Sequence, residues 1–133
     1  MIVVDSSAII AIFRQEQDAE DFARRIATDD DPVMSAANLV ETSIVLRGLK
    51  KIAPARAERW LDDFIEEAAI RIEPVTSDQA NAARAAHLQF GKGTGHRAAL
   101  NYSDCFAYAL AKAMEAPLLC KGNDFRLTDI GIA

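Results

Sequence analysis

Four acidic residues lie where the local pattern places strand ends and helix starts: Asp5, Glu41, Asp104 and Asp124. Asp5 directly follows Ile2-Val3-Val4, and Asp124 comes shortly after Leu118-Leu119-Cys120; both apolar runs are typical of buried strands. The middle two lie early in apolar helical segments. Carboxylates in such positions, drawn from distant parts of a chain, can form one acidic site for acid–base chemistry or for a cation.

Each acid also has an ordinary structural explanation when it is taken alone. Asp5 and Asp104 suit helix starts, where a carboxylate caps the backbone or meets the helix dipole. Glu41 could lie on a solvent-facing stripe and pair with Arg47. Asp124 suits a turn. The hypothesis of an acidic site therefore depends on all four positions together.

Carboxylates that are held close together raise one another's pKa values, and a divalent cation removes that repulsion. Hard oxygen ligands favour Mg²⁺ or Mn²⁺. Zinc is not expected, because the sequence has no cluster of cysteine and histidine with ligand spacing.

The elements that must position these acids alternate between strand-like and helix-like patterns. Strands are predicted at residues 2–4, 33–35, 71–75 and 118–120, with Ile130 in a last edge strand. Helices are predicted from Ser6 or Ser7 to Phe13, over 18–27, over 37–49, from Pro54, from Ser77, and from a Ser103 cap to Glu115. With Ser6 or Ser7 as the cap, Asp5 is left free for another task.

The predicted order, βααβααβαβαβ or close to it, indicates an α/β protein with a mainly parallel sheet covered by helices on both sides. Ligands of such sheets bind beyond the carboxyl ends of the strands. Asp5 and Asp124 are both expected at that edge.

Length and composition predict a single domain over residues 1–133. Half of the residues are hydrophobic and 26% are charged, which is normal for a globular protein. Two cysteines are too few for a disulfide scaffold. No signal peptide or membrane span is expected, so the chain is predicted to be cytoplasmic and to have no membrane partner.

The net charge of −5 opposes nucleic-acid binding in general, but the charge is unevenly distributed. Residues 79–103 contain no acid, while they carry Arg84, Lys92, Arg97 and both histidines. This acid-free segment is either a plain solvated face or a local site for a polyanion. The loop from Gly91 to Arg97 is expected to contact backbone phosphate through Lys92 and Arg97 if the second interpretation holds.

The ordered set of motifs resembles PIN-domain ribonucleases, and among them the VapC toxins of bacterial type II toxin–antitoxin pairs. The resemblance runs from end to end of the chain. Its motifs are Val4-Asp5-Ser6-Ser7-Ala8, Glu41 early in its helix, residues 102–111 with Asp104, and Lys121-Gly122-Asn123-Asp124-Phe125.

The resemblance implies a three-layer α/β/α PIN-like fold and Mg²⁺- or Mn²⁺-dependent hydrolysis of RNA phosphodiester bonds. By the same resemblance Asp5, Glu41 and Asp104 are the metal-binding and catalytic acids, and Ser6 supports a carboxylate or caps a helix. Many members carry Thr-x-Asp-x-Asp-Phe near the carboxyl end, which places Gly122 where an acid would fall. Asp124, or its neighbour Asn123, then fills the fourth position.

The resemblance also implies partners: a homodimer, a VapB-like antitoxin that covers the site in a larger hetero-oligomer, and an RNA substrate. Two other functions stay open at this stage. One is a receiver-type Mg²⁺-binding signalling domain with Lys121 as its lysine, although the acid pair expected after strand one is absent. The other is a non-catalytic binding module on the same fold.

Overall fold

The computed structural model describes residues 1–133 and contains four strands and six α-helices. The strands are β1 (Ile2–Val4), β2 (Pro32–Ser35), β3 (Arg71–Glu73) and β4 (Leu118–Leu119). The helices are α1 (Ser6–Phe13), α2 (Ala19–Thr28), α3 (Ala36–Arg47), α4 (Pro54–Glu67), α5 (Ser77–Phe90) and α6 (Tyr102–Met114). A short 3₁₀ turn, Asp124–Leu127, follows β4.

The four strands form one parallel sheet in the order β3-β2-β1-β4. In the central strand, Val3 pairs with Val33 of β2 on one side and with Leu118 of β4 on the other. The chain after β1 therefore first adds β2 and β3 on one side of β1, and its last strand, β4, is added on the other side. The strand order reverses beside the carboxyl end of β1, which is where ligands of open α/β sheets bind.

Alternate strand residues point to opposite faces of the sheet and divide the core into two clusters. Val3, Val33 and Leu118 pack against α5 and α6. Val4, Met34 and Leu119 pack among side chains of α1 to α4. Helices thus cover both faces, and the prediction of a three-layer α/β/α architecture is confirmed.

Two details of the predicted element order are wrong. No strand separates α5 from α6, since Gly91 and Leu100 make only an isolated bridge that closes the loop between the helices. No edge strand forms at Ile130, because the last residues contribute a single bridge between Ile132 and Leu118. Isolated bridges of this kind leave little periodic pattern in a sequence.

None of the helices combines the length and the apolar character that a crossing of the bilayer requires.

Candidate active site

Asp5 lies at the carboxyl end of β1 and is 3% exposed. It is the N-cap of α1, because its Oδ2 accepts a hydrogen bond from the backbone amide of Ser7 at 3.0 Å. The predicted capping by Ser6 or Ser7 is therefore wrong. Oδ1 of Asp5 is nevertheless buried and has no hydrogen-bond partner. One oxygen of this carboxylate holds the helix, and the other is left for a ligand.

Glu41 is held by donors from three parts of the chain. The Ser6 hydroxyl donates to its Oε1 at 2.5 Å, and the Ser103 hydroxyl donates to its Oε2. The Asn38 amide approaches Oε1 at 3.4 Å. Both oxygens are thus engaged, and Glu41 does not pair with Arg47, whose guanidinium lies 3.5 Å from Glu58 instead.

Asn38 joins the two helices that carry Glu41 and Asp104. Its side chain is fully buried, and its Nδ2 donates to the backbone carbonyl of Ser103 at 3.0 Å. Sequence analysis missed the contacts of both Asn38 and Ser103 with Glu41. The available signal was a polar residue one helical turn before Glu41 and another next to Asp104.

Asp104 occupies the first turn of α6, as predicted, but Asn101 rather than Ser103 is the N-cap. Asn101 and Asp104 form a capping box, in which the Asn101 backbone amide donates to Asp104 Oδ2 at 3.0 Å. The pKa of Asp104 is raised to about 6, mainly by burial; the charges of Asp5, Glu41 and Asp124 contribute to the increase, and the Asn101 amide opposes it. Asp104 therefore lies within electrostatic reach of all three other acids.

Burial also raises the pKa of Asp5, and the Glu41 charge acts in the same direction. The polar groups of Ser7 and the backbone amide of Ser6 oppose the increase. Two neighbouring carboxyls with raised pKa values indicate negative charge that the protein itself does not neutralise.

Asp124 is exposed and begins the 3₁₀ turn after β4. Its charge contributes to the raised pKa of Asp104, so it lies within electrostatic range of that acid. Ser7 holds this loop, because its hydroxyl accepts from the backbone amide of Lys121 at 2.9 Å. The backbone of Gly122 has a φ of +91°, a conformation that suits glycine at the position where the resemblance would place an acid. Asn123 is exposed and makes no side-chain cap.

The donor set of the site consists of oxygens. No three histidine, cysteine, aspartate or glutamate side chains converge closely enough to coordinate one ion directly. The acids interact electrostatically at a wider spacing, which fits a hard cation that keeps several water ligands. The unpartnered Oδ1 of Asp5 is a suitable direct ligand.

The basic residues considered above lie apart from the acids. Lys121 binds Glu16 at 2.7 Å and Asp18 at 3.3 Å, and so its ammonium group is held at the start of α2. Lys92 and Arg97 are exposed on the loop between α5 and α6, and no ion pair or hydrogen bond links their side chains to the acidic site.

Comparisons with known proteins agree with this architecture. The family model for the PIN domain matches residues 2–131. Ribonuclease VapC28 of Mycobacterium tuberculosis is 49% identical over 129 residues, which are 97% of this chain and 95% of that protein.

Two solved structures share the fold. One is VapC20 of Mycobacterium tuberculosis, described as a sarcin-ricin loop cleaving toxin, with a TM-score of 0.79 and 18% identity over 100% of this chain and 98% of that one. The other is a chain of a toxin–antitoxin complex from Klebsiella pneumoniae, with a TM-score of 0.69 and 15% identity over 94% of this chain and 90% of that one.

Proposed function

The chain belongs to the PIN-domain family and, within it, to the VapC ribonucleases, and from this premise we propose that it hydrolyses RNA phosphodiester bonds with Mg²⁺ or Mn²⁺ as the toxin of a type II toxin–antitoxin pair. Its action on RNA would take place in the cytoplasm.

Two observations on neighbouring acids support the proposal of metal dependence. Asp5 has a buried oxygen without a partner, and the neighbouring Asp104 has a pKa raised to about 6. An unpaired buried carboxylate oxygen is costly unless a ligand satisfies it. A divalent cation would satisfy this oxygen and neutralise the repulsion among the acids at the same time.

We assign each acid of the site a role in this reaction. Asp5 and Asp104 are the principal metal ligands, directly or through water. Such a metal ion supplies charge neutralisation at the phosphate and a lowered pKa for a bound water. Asp124 completes the site at its exposed rim.

Glu41 holds the attacking water or accepts its proton. The hydroxyls of Ser6 and Ser103 determine where its carboxylate stands. A base must lie within hydrogen-bond reach of the proton that it removes, so this fixed orientation has a direct catalytic use. Ser6 and Ser103 are therefore positioning residues.

The receiver-type alternative is weakened by two contacts. The ammonium group of Lys121 is bound to Glu16 and Asp18, away from the acids. A non-catalytic module on the same fold would bind RNA or a partner without cleaving RNA.

Cleavage of single-stranded RNA in Mg²⁺ or Mn²⁺, with and without excess EDTA, tests the proposal. We expect cleavage with metal, none with EDTA, and near-complete loss in Asp5→Asn and Asp104→Asn. A non-catalytic module would show no metal-dependent cleavage, and full activity in EDTA would overturn the assignment of the acids. Circular dichroism of each variant separates lost chemistry from lost folding.

The antitoxin is proposed to cover the acidic site with an arginine or lysine, because a guanidinium pairs well with carboxylates. A homodimer of the toxin within a larger hetero-oligomer is part of the same proposal. Co-expression with the antitoxin should give a stable, inactive complex. A purified complex that cleaves RNA as fast as the free toxin would contradict this arrangement.

A further inference from the structure

Lys121 attaches the loop that carries Asp124 to the start of α1. The pairing of β1 with β4 ends where the Asp5 backbone amide donates a hydrogen bond to the Leu119 carbonyl at 2.9 Å. Two residues later, the Lys121 backbone amide donates to the Ser7 hydroxyl, also at 2.9 Å. The loop is therefore still fixed to α1 beyond the point where the sheet ends.

The side chain of Lys121 makes a second attachment. Its ammonium group binds Glu16 at 2.7 Å and Asp18 at 3.3 Å, in the turn between α1 and α2. This turn is itself held, because the Glu16 backbone amide donates to the carbonyl of Ala11 at 3.0 Å, and Ala11 is fully buried in α1. Lys121 thus contacts the start of α1 through its backbone and the turn after α1 through its side chain.

Asp124 lies between this attachment and a buried anchor. Residues 121–124 are all exposed, whereas the next residue, Phe125, is 4% exposed and packs in the core cluster of α5 and α6. The Asp124 side chain makes no hydrogen bond or ion pair of its own within the chain. Its position therefore depends on how the two ends of this short segment are held, at Lys121 and at Phe125.

Ser7 also connects the loop with Asp5. Its backbone amide donates to Oδ2 of Asp5 at 3.0 Å, while its hydroxyl accepts from Lys121. A hydroxyl that accepts one hydrogen bond still has its own proton to donate. Burial raises the pKa of Asp5, and the Ser7 side chain is the largest opposing influence. One residue therefore links the acid at the end of β1 to the loop of the fourth acid.

We propose that Lys121 and Ser7 are positioning residues that hold Asp124 at the acidic site. The inference rests on the proposed metal-dependent function, in which Asp124 completes the site at its rim. Side chains that hold a metal ion or its water depend on neighbouring groups for their orientation. Because the Asp124 side chain has no such neighbour, the attachment of its loop takes that place.

A role in stability alone is the alternative explanation for the ion pairs. The side chains of Lys121, Glu16 and Asp18 are 42%, 27% and 40% exposed. Ion pairs at such exposure contribute little to the free energy of unfolding. Loss of the Lys121 charge should therefore leave the stability of the fold nearly unchanged. A clear effect on cleavage would then come from the position of the loop.

The first test is a double-mutant cycle between Lys121→Met and Asp124→Asn, measured as RNA cleavage in Mg²⁺ or Mn²⁺. In the wild-type background, Lys121→Met should lower the cleavage rate roughly 10-fold, the lower end of the range for a group that orients a metal ligand. Lys121→Arg keeps the charge and should restore most of the rate. In the Asp124→Asn background, Lys121→Met should cause little further loss. An equal fold-loss in both backgrounds would overturn the proposal.

The second test needs neither metal nor cleavage. In EDTA, hydrogen exchange at the Lys121 backbone amide should be faster in Ser7→Ala than in the wild type, because the amide loses its acceptor. Ser7→Thr keeps the hydroxyl and should restore slow exchange. The Val3 amide, which donates to the Pro117 carbonyl within the sheet, serves as the internal reference. Unchanged exchange at Lys121 in Ser7→Ala would refute the attachment.

The melting temperature separates position from stability. Lys112 is the matched control, since its ammonium group makes a similarly exposed ion pair with Asp129 at 2.8 Å. In EDTA, Lys121→Met and Lys112→Met should both melt close to the wild type. Millimolar Mg²⁺ or Mn²⁺ should raise the melting temperature of Lys121→Met by less than that of the wild type or Lys112→Met. A large loss in EDTA with an unaltered metal shift would assign Lys121 to the fold alone.

Failure of the nuclease function is distinguishable from failure of this inference. A chain that does not cleave RNA, but whose metal shift and Lys121 exchange respond as expected, would refute the nuclease function and leave the positioning role standing. Cleavage that is lost in Asp124→Asn but unaltered in Lys121→Met and Ser7→Ala would do the opposite. Wild-type cleavage by Asp124→Asn would also overturn the positioning role, because the loop would then hold no group that the reaction uses.

Discussion

The side-chain amide of Asn38 donates a hydrogen bond to the backbone carbonyl of Ser103, 65 residues further along the chain. The bond joins α3 to the start of α6 at the point where Glu41 and Asp104 approach each other. Asn38 also lies near Glu41, so a single buried amide contacts both Glu41 and the helix that carries Asp104. The precision of the acidic site therefore depends on a residue that has no chemistry of its own.

Asn38→Ala should lower the free energy of unfolding by about 1–3 kcal/mol, because it leaves the Ser103 carbonyl without its buried donor. The RNA cleavage rate should fall as well, since Glu41 and Ser103 lose a shared support. Urea unfolding and cleavage assays measure the two effects. Thr28→Ala, a change in an exposed hydroxyl that bonds only within its own helix, is the control. Unchanged cleavage in a less stable Asn38→Ala protein would limit Asn38 to a structural role.

Divalent metal should stabilise the folded chain. Ligands that bind only the native state raise its stability by mass action, and here the metal also relieves repulsion among the acids. We expect millimolar Mg²⁺ or Mn²⁺ to raise the melting temperature of the wild type, and to raise that of Asp104→Asn by less. Equal shifts in the two proteins would indicate that the metal binds elsewhere.

The raised pKa of Asp104 predicts how the stability of the metal-free protein depends on pH. The folded carboxyl holds its proton up to about pH 6, whereas the unfolded one releases it near the ordinary value of 3.8. Between these values the folded state binds more protons, so the free energy of unfolding falls as the pH rises. Asp104→Asn lacks this loss and should gain stability relative to the wild type from about pH 4 to about pH 7.

Urea unfolding in EDTA at the two ends of that range measures the difference between wild type and Asp104→Asn. The test is whether the difference in the free energy of unfolding between the two proteins changes with pH. The altered capping box of Asp104→Asn contributes the same amount at both pH values, so it does not affect that change. A difference that does not vary with pH would show that burial and the neighbouring acids do not act on Asp104 as described. Added Mg²⁺ should remove most of the pH effect, since metal binding favours the ionised carboxylate.

Asp124 is the acid proposed to fill the fourth position of the site, where its neighbour Asn123 is the alternative. If it holds the metal or its water, Asp124→Asn should lower the cleavage rate by roughly an order of magnitude or more, the range for a positioned catalytic group. Its exposure in a turn predicts little change in stability. Asn123→Ala is the control, and wild-type cleavage by Asp124→Asn together with loss in Asn123→Ala would assign the role to the amide.

Lys92 and Arg97 are expected to hold RNA at a distance from the acids. Exchange of both for glutamate should weaken RNA binding and flatten its salt dependence, because fewer counterions are released. Metal binding should be nearly unaltered, as neither side chain contacts the acidic site. The same affinity and salt slope as in the wild type would reduce the loop to a solvated segment.

Most of the element order, and the edge of the sheet at which the acids gather, could be predicted from local sequence. Apolar runs such as Ile2-Val3-Val4 indicate buried parallel strands, and the helical pattern after Pro54 predicts α4. Asp5 at a strand end and Asp104 at a helix start then fall at one edge of the sheet, because the carboxyl ends of parallel strands share that edge. The prediction of an acidic site needed no knowledge of the strand order.

Helix caps and the last strand could not be read in the same way. Several residues near the helix starts are of types that cap helices well: Ser6, Ser7, Thr76, Ser77, Asn101 and Ser103. The backbone angles at the helix boundaries select Asp5, Thr76 and Asn101 as the caps. Ile130 lacks a strand because only one residue of that segment meets β4.

The hydrogen bonds around Glu41 were decided by tertiary structure alone. Its donors Ser6 and Ser103 lie 35 residues before it and 62 residues after it, and no local pattern relates them. They meet because β1 lies centrally in the sheet, which brings the starts of α1, α3 and α6 to one place. Tertiary structure also decides which oxygen of Asp5 caps α1 and which has no partner. The two oxygens are chemically alike until the fold buries them in different surroundings.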